Sequence, residues 1–396
     1  MTSKTLAIKA RRFITPLQDL RDAVVVIQGT KIRSVGRQGS VPVPDGANVM
    51  DVGDKIVAPG FIDLHHHGAV GSYAAEGPDA VKKIAQYLVK TGTTGWLPTV
   101  NALEGIKAIM QAKGEGTGAA DVIGIHMEGP FLAPKRVPGQ EAMDRGLREP
   151  SIELLGEFLE AAGGNLKIMG VAPELPGGLD LLRELRRAGV VPAIAHTKAT
   201  YEQFMRAVGA GARHVTHTYN VMTGFHHRKP GVVGGVLTCD QVTAELIADG
   251  FHVSAPAMDI LIRCKGVDKV AVITDCTPLA GLPDGTYEMF GRTVIKKDGI
   301  SRMAGSTPDQ DHTMAGSEWP LNGNIYNLVN LVGVSLPDAI RMVTLTPATI
   351  IDVDDRKGSI EPGKDADLVV IDEKVQVYLA MVKGKIVFEA DLSQEG

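Results

Sequence analysis

Apolar segments and amphipathic segments alternate through the central part of the chain. Between residues 59 and 351, most short apolar runs are followed by a segment with helical spacing, such as PDAVKKIAQYLVKTG or TYEQFMRAVGAG. Eight of the apolar runs are typical of buried strands: GFIDLH, GWLPTV, VIGIHME, LKIMGVAP, VVPAIAH, HVTH, TAELIADG and VAVITD. Alternating strands and helices favour a parallel sheet, and eight such units predict an α/β fold, a (β/α)₈ TIM barrel over residues 59–351.

The two ends of the chain have a different pattern. Residues 1–58 contain short β-type runs broken by turn sequences such as QGTK and VPDGA, which indicates a small antiparallel sheet. Residues 352–396 repeat this texture in DLVVIDEKVQVYLAMVKGKIVFE. We therefore predict that 1–58 and 352–396 together form one small β-sandwich domain, and that it carries no catalytic cluster.

Composition excludes several classes of function for these 396 residues. The chain has 41 Lys and Arg against 46 Asp and Glu, a net charge of -5, which argues against nucleic acid as a partner. Its three cysteines, Cys239, Cys264 and Cys276, lack the spacing of a disulfide framework or a thiolate zinc site. No segment approaches the roughly 18 apolar residues of a membrane span, and no export signal is evident. We expect a cytoplasmic protein with no membrane partner.

Polar side chains suited to catalysis fall where the predicted barrel strands end. The carboxyl ends of barrel strands meet at one mouth, where active sites of this fold form. Six residues are placed there by the strand prediction: His65, His67, Glu128, His196, His217 and Asp275. The period of two along a strand puts His65 and His67 on the same side and His66 on the other.

These residue types predict a metal site. Imidazole nitrogen and carboxylate oxygen are ligands for zinc, iron and manganese, and a site with an open position is of the hydrolytic kind. A single histidine at a strand end is more often a hydrogen-bonding group than a ligand, but packing does not explain six convergent groups. We interpret His126, inside the third strand, as support for the ligands, and His214 and His312 as structural or solvated.

Several motifs in fixed order resemble one known family. The segments PGFIDLHHHG, IGIHMEGPF, THTYN, HHRKPG, DGFHV and PGKDADLVV together resemble the N-acetylglucosamine-6-phosphate deacetylases of the amidohydrolase superfamily, over nearly the whole chain. The pieces PGFIDLHxH and PGKDADLVV occur across amidohydrolases, whereas HMEGPF followed by THTYN, HHRKPG and DGFHV is more specific.

The resemblance implies a site for one or two divalent ions. It matches one set of ligands to Glu128, His196 and His217. It matches a second set to His65, His67 and Asp275, with Glu128 bridging the two sets. Zn²⁺ or Fe²⁺ is favoured as the ion, with Mn²⁺ or Co²⁺ as alternatives.

The implied activity is hydrolysis of N-acetylglucosamine 6-phosphate to glucosamine 6-phosphate and acetate. An acetamide is a poor electrophile and water a poor nucleophile, and a metal ion improves both by polarising the carbonyl and supplying bound hydroxide. We predict that Asp275 acts as the general base that takes the proton from water and then as the acid that delivers it to the amine.

The candidate substrate contacts are less regular. Arg228, in the basic loop GFHHRKPG, has the planar fork that suits a phosphate. The resemblance implies that this arginine reaches the site of a neighbouring subunit, and hence a homodimer. The complete set of predicted substrate-binding residues is Gln140, Asn220, Val221, His227, Arg228, His252, Met314, Ala315 and Gly316.

The chain departs from the family pattern at some of these positions. Gln140 stands where the family commonly has a histidine, Val221 where alanine is usual, and Lys229 where glutamate is usual. The sequence MAGS occurs twice, at 303–306 and 314–317, and the position of the following helix favours the second copy as the pocket segment. These departures leave open a substrate of the galactosamine type or an N-acyl amino acid. An inactive amidohydrolase-fold scaffold is the non-enzymatic alternative.

Overall fold

A nearly closed ring of parallel strands forms the centre of the protein in this computed structural model, which describes residues 5–134, 146–289, 291–305, 314 and 316–390. Each strand pairs with the next one along the chain. The eight strands are Phe61–His66, Thr93–Val100, Ile125–Glu128, Leu166–Val171, Val191–Ile194, His214–Val215, Thr243–Ile247 and Val270–Ile273. The predicted barrel is confirmed, with a strand in each of the eight predicted segments.

The first and last strands close the barrel at their carboxyl ends. The backbone N–H of Asp275 donates to the carbonyl of His65 at 2.9 Å. Two residues before His65, the buried carboxylate of Asp63 accepts hydrogen bonds from the Thr274 N–H at 3.2 Å and from the Thr274 hydroxyl at 2.6 Å. The seam of the barrel, where its first and eighth strands meet, therefore lies beside the candidate ligands His65 and Asp275.

A helix follows each barrel strand and covers its outer face. Local sequence sets where these helices begin: the Thr200 hydroxyl accepts from the Gln203 N–H, and the Gln203 side chain accepts from the Thr200 N–H, a capping box. Phe204, Ala207 and Val208 then bury one face of that helix. The eight helices are Pro78–Leu88, Leu103–Glu115, Ile152–Ala162, Gly178–Arg187, Tyr201–Ala210, Gly231–Thr238, Ala255–Lys265 and Leu321–Asn327.

Apolar side chains fill the inside of the barrel. Branched residues from several strands, among them Ile62, Leu97, Ile168 and Ile273, form one buried cluster together with the helix Leu345–Ile350. The interior is thus a packed core, as in barrels of this type. The polar candidate residues lie at the opposite, carboxyl-terminal mouth.

Two further helices follow the eighth barrel helix. The helix Leu336–Met342 precedes Leu345–Ile350, and Leu328–Val332 is a π-helical extension of the eighth barrel helix.

Both chain ends join in one sheet, as the sequence predicts. Its strands are Thr5–Ile14, Asp19–Gln28, Lys31–Arg37, Asn48–Asp51, Ile56–Pro59, Leu368–Ile371, Val377–Val382 and Lys385–Glu389. A separate core that includes Ile8, Phe13, Val25 and Met381 supports it. The division of the chain into 1–58 with 352–396 and 59–351 stays a prediction.

The predicted antiparallel pairing is confirmed for the first three strands, but the amino-terminal sheet is not antiparallel throughout. Thr5–Ile14 pairs in parallel with Asn48–Asp51 along its first half and with Ile56–Pro59 near its end. Parallel pairing needs a long crossover, and the two intervening strands, Asp19–Gln28 and Lys31–Arg37, supply it. The sheet is therefore mixed and branches at its first strand.

A buried lysine ties this sheet to the barrel. Lys357 is 2% exposed, and its ammonium lies 2.5 Å from Asp367, 3.3 Å from Asp121 and 3.4 Å from Asp365. Asp121 belongs to the short strand Asp121–Val122 beside the barrel, whereas Asp367 directly precedes a strand of the terminal sheet. The three carboxylates compensate the buried charge of Lys357, so these four residues link the two parts.

A three-stranded antiparallel insertion follows the eighth barrel strand and was not predicted. It consists of Gly285–Met289, Arg292–Lys297 and Ile300–Met303. The Lys296 ammonium reaches inward to the carboxylate of Glu318 at 2.5 Å and to the carbonyl of Leu279 at 2.8 Å, which fixes the insertion to the barrel mouth. A two-stranded ribbon, Gly68–Ala69 with Ser72–Tyr73, lies after the first barrel strand.

Among the helices of the described residues, none combines the length and apolar character needed to cross a membrane.

Candidate metal centre

Three of the predicted ligands form a compact triangle. The Glu128 Oε1 lies 2.9 Å from the His196 Nε2 and 2.8 Å from the His217 Nε2, and the two nitrogens are 2.9 Å apart. These atoms come from the ends of the third, fifth and sixth barrel strands, which are distant along the chain. We call Glu128, His196 and His217 the first ligand group.

The remaining predicted ligands form a second group on the other side of Glu128. The Nε2 atoms of His65 and His67 are 3.1 Å apart. The Asp275 Oδ1 lies 3.4 Å from the first of these nitrogens and 3.3 Å from the second. Glu128 joins this group through its Oε2, 3.2 Å from the His67 Nε2. The Oε1 also lies 3.8 Å from the His65 Nε2, so the Glu128 side chain lies between the two groups.

Unusual backbone turns place three of these side chains. His196, His217 and Asp275 have positive φ angles of 39°, 30° and 52°, in the left-handed region. Each follows the end of its barrel strand by two residues, so the turn directs the side chain across the mouth. Left-handed backbone at a residue other than glycine costs on the order of 1–3 kcal/mol and is common at functional sites.

The donor atoms of both groups suit a divalent cation. Zinc forms bonds of about 2.0–2.2 Å to imidazole nitrogen and carboxylate oxygen, so its neighbouring ligand atoms lie about 3 Å apart. The separations within both groups are of this size, and His65 and His217 are almost completely buried. The two imidazole nitrogens of His196 and His217, 2.9 Å apart, are close enough to bind the same ion. The residues present therefore fit a metal ion.

The electrostatic character of the second group also favours a cation. Burial lowers the pKa of His65, but the carboxylates of Asp275, Glu245 and Glu128 outweigh it and raise that pKa to about 10. Burial is likewise outweighed at His67, whose pKa is raised to about 9 by Asp275 and Glu128. Burial raises the pKa of Glu128 and of Asp275, but the neighbouring histidines outweigh it and hold both pKa values below the ordinary ones. The carboxylates are ionised at neutral pH and attract positive charge.

These shifts predict that ion binding to the second group releases protons. Neighbouring carboxylates raise the pKa of His65 to about 10 and that of His67 to about 9. The metal-free pair, whose Nε2 atoms are 3.1 Å apart, therefore carries at least one extra proton near neutral pH, which an ion must displace. We expect the affinity for Zn²⁺ to rise between about pH 7 and about pH 9. Calorimetric titration in two buffers of different ionisation enthalpy measures the released protons. Binding without proton release at about pH 7 would contradict the prediction.

Buried polar residues lie directly beneath the ligands. His66 points away from the site, as predicted, and its Nδ1 lies 2.9 Å from the Thr274 hydroxyl. The His126 Nδ1 lies 2.9 Å from the Leu64 carbonyl, with its ring edge-on to that of His65. Burial first of all, with the charge of His65, lowers the pKa of His126 to about 3, so it is neutral and packs as a support.

Sequence analysis missed one residue of this layer, Glu245. It lies in the seventh barrel strand with 0% exposure, and its carboxylate contacts His65, His214 and the backbone of His217. His214, interpreted as structural or solvated, is buried and contacts Thr243 as well. An acidic residue in the middle of the apolar run TAELIADG was the available signal, because buried glutamates are rare unless they are paired.

One predicted substrate-binding segment lies against the centre. The Ser317 N–H donates to the Asp275 carbonyl at 3.3 Å, and a Cβ atom on Gly316 would lie 2.2 Å from the Thr277 side chain. The second MAGS copy therefore runs beside the eighth strand, and glycine is required by that close approach and by its φ of 80°. Met314 pairs with Arg302 of the insertion.

His252 lies on the seventh strand's loop. Its Nδ1 is 2.5 Å from the Asp249 Oδ2, and its backbone N–H also donates to Asp249. Burial lowers the pKa of His252, but the carboxylates of Asp249 and Asp275 keep it above the ordinary value. The ring and the backbone N–H of His252 are therefore both anchored to Asp249, which fixes the position of this imidazole.

The remaining substrate candidates lie on the loop after the sixth strand. The Asn220 amide donates back to the His217 carbonyl at 3.4 Å, and the Val221 carbonyl accepts from the Thr197 N–H at 3.0 Å. His227 and Arg228 are exposed and contact each other at 2.7 Å. Gln140 and Ala315, like His312, lie outside the described residues.

The barrel and its histidine and carboxylate cluster define a metal-dependent hydrolase of the amidohydrolase class. The family model described as the amidohydrolase family matches residues 56–387. The chain belongs to this family and, within it, to the N-acetylglucosamine-6-phosphate deacetylases.

Relatives of nearly equal length support this placement. The chain is 33% identical to an N-acetylgalactosamine-6-phosphate deacetylase of Escherichia coli O157:H7, over 96% of this chain and 99% of the relative. It is 32% identical to an N-acetylglucosamine-6-phosphate deacetylase of Bacillus subtilis, over 98% and 99%. A solved structure of a Mycobacterium smegmatis N-acetyl-D-glucosamine-6-phosphate deacetylase variant in complex with that sugar phosphate is 27% identical, with a TM-score of 0.86 over 97% of this chain and 99% of the other.

Proposed function

We propose that this protein hydrolyses the N-acetyl group of N-acetylglucosamine 6-phosphate, giving glucosamine 6-phosphate and acetate. The observation that carries the proposal is the position of Glu128 between two groups of histidines, with Asp275 at the edge of one of them. An inactive scaffold would not be expected to keep the complete set of ligands, so we set that alternative aside.

The chain's own residues have separate tasks in this reaction. Glu128, His65, His67, His196 and His217 would hold one or two divalent ions. A bound divalent ion activates water and polarises an acyl oxygen. Zn²⁺ or Fe²⁺ is the ion we favour, because three or more imidazole nitrogens suit these metals, with Mn²⁺ or Co²⁺ as alternatives.

Asp275 is the proposed proton carrier. Its pKa lies below the ordinary value of a carboxylic acid because the two neighbouring histidines outweigh its burial, so it is ionised at neutral pH, the form that a general base requires. It would take the proton from the attacking water and pass it to the nitrogen of the departing amine. An amine is a poor leaving group until it is protonated, so the second transfer completes the cleavage.

Substrate binding is proposed to need a second subunit. Arg228 is exposed at the tip of its loop, held by a backbone hydrogen bond to His226, and available to a neighbouring chain. We propose a homodimer in which this arginine binds the phosphate in the partner's site. Asn220, Val221, His227, His252 and the segment 314–316 are the other proposed contacts, together with Gln140. The three cysteines are free, which suits a reducing cytoplasm as the proposed location.

The galacto epimer is the second candidate substrate. The relative at 33% identity is an N-acetylgalactosamine-6-phosphate deacetylase, and those at 32% include N-acetylglucosamine-6-phosphate deacetylases. Identity of this order therefore favours neither sugar by itself. Both substrates carry the same acetamide and phosphate groups, so the same centre serves either. An N-acyl amino acid, the third substrate considered, lacks the phosphate that Arg228 is proposed to bind.

One assay tests the proposed activity. Protein stripped of metal and reloaded with Zn²⁺, Fe²⁺ or Mn²⁺ is given N-acetylglucosamine 6-phosphate, N-acetylgalactosamine 6-phosphate and unphosphorylated N-acetylglucosamine, and acetate release is measured. We expect the first compound to be hydrolysed fastest. A higher kcat/KM for the galacto compound would move the assignment to the second candidate. No acetate from any of them with a full complement of metal would reject deacetylation.

The phosphate contact is tested by Arg228→Ala. A charge-assisted hydrogen bond contributes about 1.5–3 kcal/mol, so we expect KM for the phosphorylated substrate to rise about 10- to 100-fold. Activity on the unphosphorylated sugar should not change. Lys229→Ala, which removes a charge from the adjacent exposed position, is the matched control, with KM expected within about threefold of the wild type. An equal loss on both sugars would show that Arg228 does not bind phosphate.

A further inference from the structure

One buried carboxylate contacts both ligand groups from below. The Glu245 Oε2 accepts from the Nδ1 of His65 at 3.1 Å and from the backbone N–H of His217 at 3.0 Å. The Glu245 Oε1 accepts from the Nε2 of His214 at 3.1 Å. Glu245 has 0% exposure, so no water competes for these contacts. Both carboxylate oxygens are therefore occupied by neighbours that belong to, or support, the metal centre.

The contact with His65 decides which of its nitrogens is free to bind a metal. An imidazole whose Nδ1–H donates to a carboxylate presents the lone pair of its Nε2 on the other side. In this protein the Nε2 of His65 faces His67 and Asp275, at 3.1 and 3.4 Å. Glu245 thus holds the ring in the tautomer and orientation that the second ligand group needs.

The contact with His217 acts on the backbone instead of the ring. The N–H that Glu245 accepts belongs to a residue with a φ of 30°, one of the strained positions at the mouth. A charge-assisted hydrogen bond to that N–H offsets part of the strain and fixes the turn that carries the His217 ring toward Glu128. The same oxygen thereby supports one ligand in each group.

Glu245 is better placed as a support than as a ligand. His65, His126 and Glu245 do lie close enough together to hold an ion. However, the His126 Nδ1 is bound to the Leu64 carbonyl, and the His65 Nδ1 is the nitrogen that donates to Glu245. An ion at this lower position would have to displace the hydrogen bond between His65 and Glu245. It would also turn His65 away from the second group.

We propose that Glu245 is a positioning residue that sets the metal affinity of the centre, acting mainly through His65. This inference rests on the metal binding of the proposed function but goes beyond it, because it assigns control of ion occupancy to a residue that touches neither ion nor substrate. Replacing carboxylates of this kind typically weakens metal affinity about 10- to 100-fold.

The test compares Glu245→Gln and Glu245→Leu with the wild type, using Zn²⁺ titration against a chelator and elemental analysis after desalting. The glutamine variant keeps an acceptor oxygen but loses the charge, and we expect about 10-fold weaker binding. The leucine variant loses every acceptor, and about 100-fold is expected. Thr243→Val is the matched control: it removes a neighbour of His214 on the same strand, without contact to His65, and should leave the affinity unchanged.

A double-mutant cycle separates positioning from general damage. If Glu245 acts through His65, then Glu245→Gln should have little further effect on Zn²⁺ affinity in a His65→Gln background. Activity of the single Glu245→Gln variant should also rise with added Zn²⁺ over a range in which the wild type is already saturated. An undiminished effect in the double variant would overturn the inference, as would wild-type affinity in Glu245→Gln. A wild-type protein that binds no ion would instead refute the proposed function.

Discussion

Asp275→Asn is expected to bind divalent ions and yet to lose about 10³-fold in kcat. General acid–base catalysis contributes about 10²- to 10⁴-fold, and an amide cannot take the proton of water or return one to the amine. Asparagine has the shape of aspartate and tolerates left-handed backbone, so it suits the φ of 52° at this position. The first ligand group does not include Asp275, so an ion should remain there. Steady-state kinetics and elemental analysis of the same sample measure both properties.

The adjacent residue provides the control for this substitution. Cys276 is buried beside Asp275 at the barrel seam, and its thiol donates to the Trp319 carbonyl at 3.6 Å. Cys276→Ser keeps a donor at that point, so kcat should stay within about threefold of the wild type. If Asp275→Asn keeps its kcat, Asp275 is not the proton carrier. If both variants lose activity together, the damage is to the barrel seam and not to the chemistry.

Glu128→Gln is expected to deplete metal from both groups and to lower kcat/KM by at least about 10³-fold, since a metal ion supplies several kcal/mol of transition-state stabilisation. Glu128 contacts His67 on one side and His196 and His217 on the other. An amide presents one oxygen and no charge, and its nitrogen cannot bind a cation. We expect elemental analysis to find far less than one ion per chain.

A second glutamate near the barrel mouth shows whether the effect is specific to Glu128. Glu174 follows the fourth barrel strand and accepts from the Thr197 hydroxyl and the Lys198 N–H, both at 2.5 Å. Glu174→Gln removes the same charge and holds the loop after His196 less firmly, but it touches no ligand directly. Its metal content should equal that of the wild type. Full metal occupancy in Glu128→Gln would refute the shared role of Glu128.

Sequence periodicity was enough to predict the barrel because each strand had its own signal. Even the sixth strand, which spans only His214–Val215, was found from the segment HVTH between two helical patterns. Positions at strand ends follow from the strands themselves, since parallel strands in a closed barrel share one carboxyl-terminal rim. The convergence of Glu128 with His196 and His217 could therefore be expected without any knowledge of distances.

Other features could not be predicted because they depend on contacts distant along the chain. The insertion at 285–303 consists of short strands that pair with one another and are held to the barrel mouth by the ion pair between Lys296 and Glu318. The parallel pairing of the first strand with Asn48–Asp51 depends on a crossover that local pattern does not show. The role of Glu245 depends on which nitrogen of His65 it meets, and no periodicity carries that information.

The left-handed turns at His196, His217 and Asp275 have a consequence for how such a centre can change over evolutionary time. A replacement at these positions must meet two requirements. It must supply a ligand atom for the metal, and it must adopt a left-handed backbone conformation that most residues avoid. Histidine, aspartate and asparagine are the residues other than glycine that accept this shape most readily. Cysteine and glutamate coordinate metals but lack this tolerance. The backbone conformation alone therefore limits which metal ligands can replace these three residues, independently of what catalysis requires.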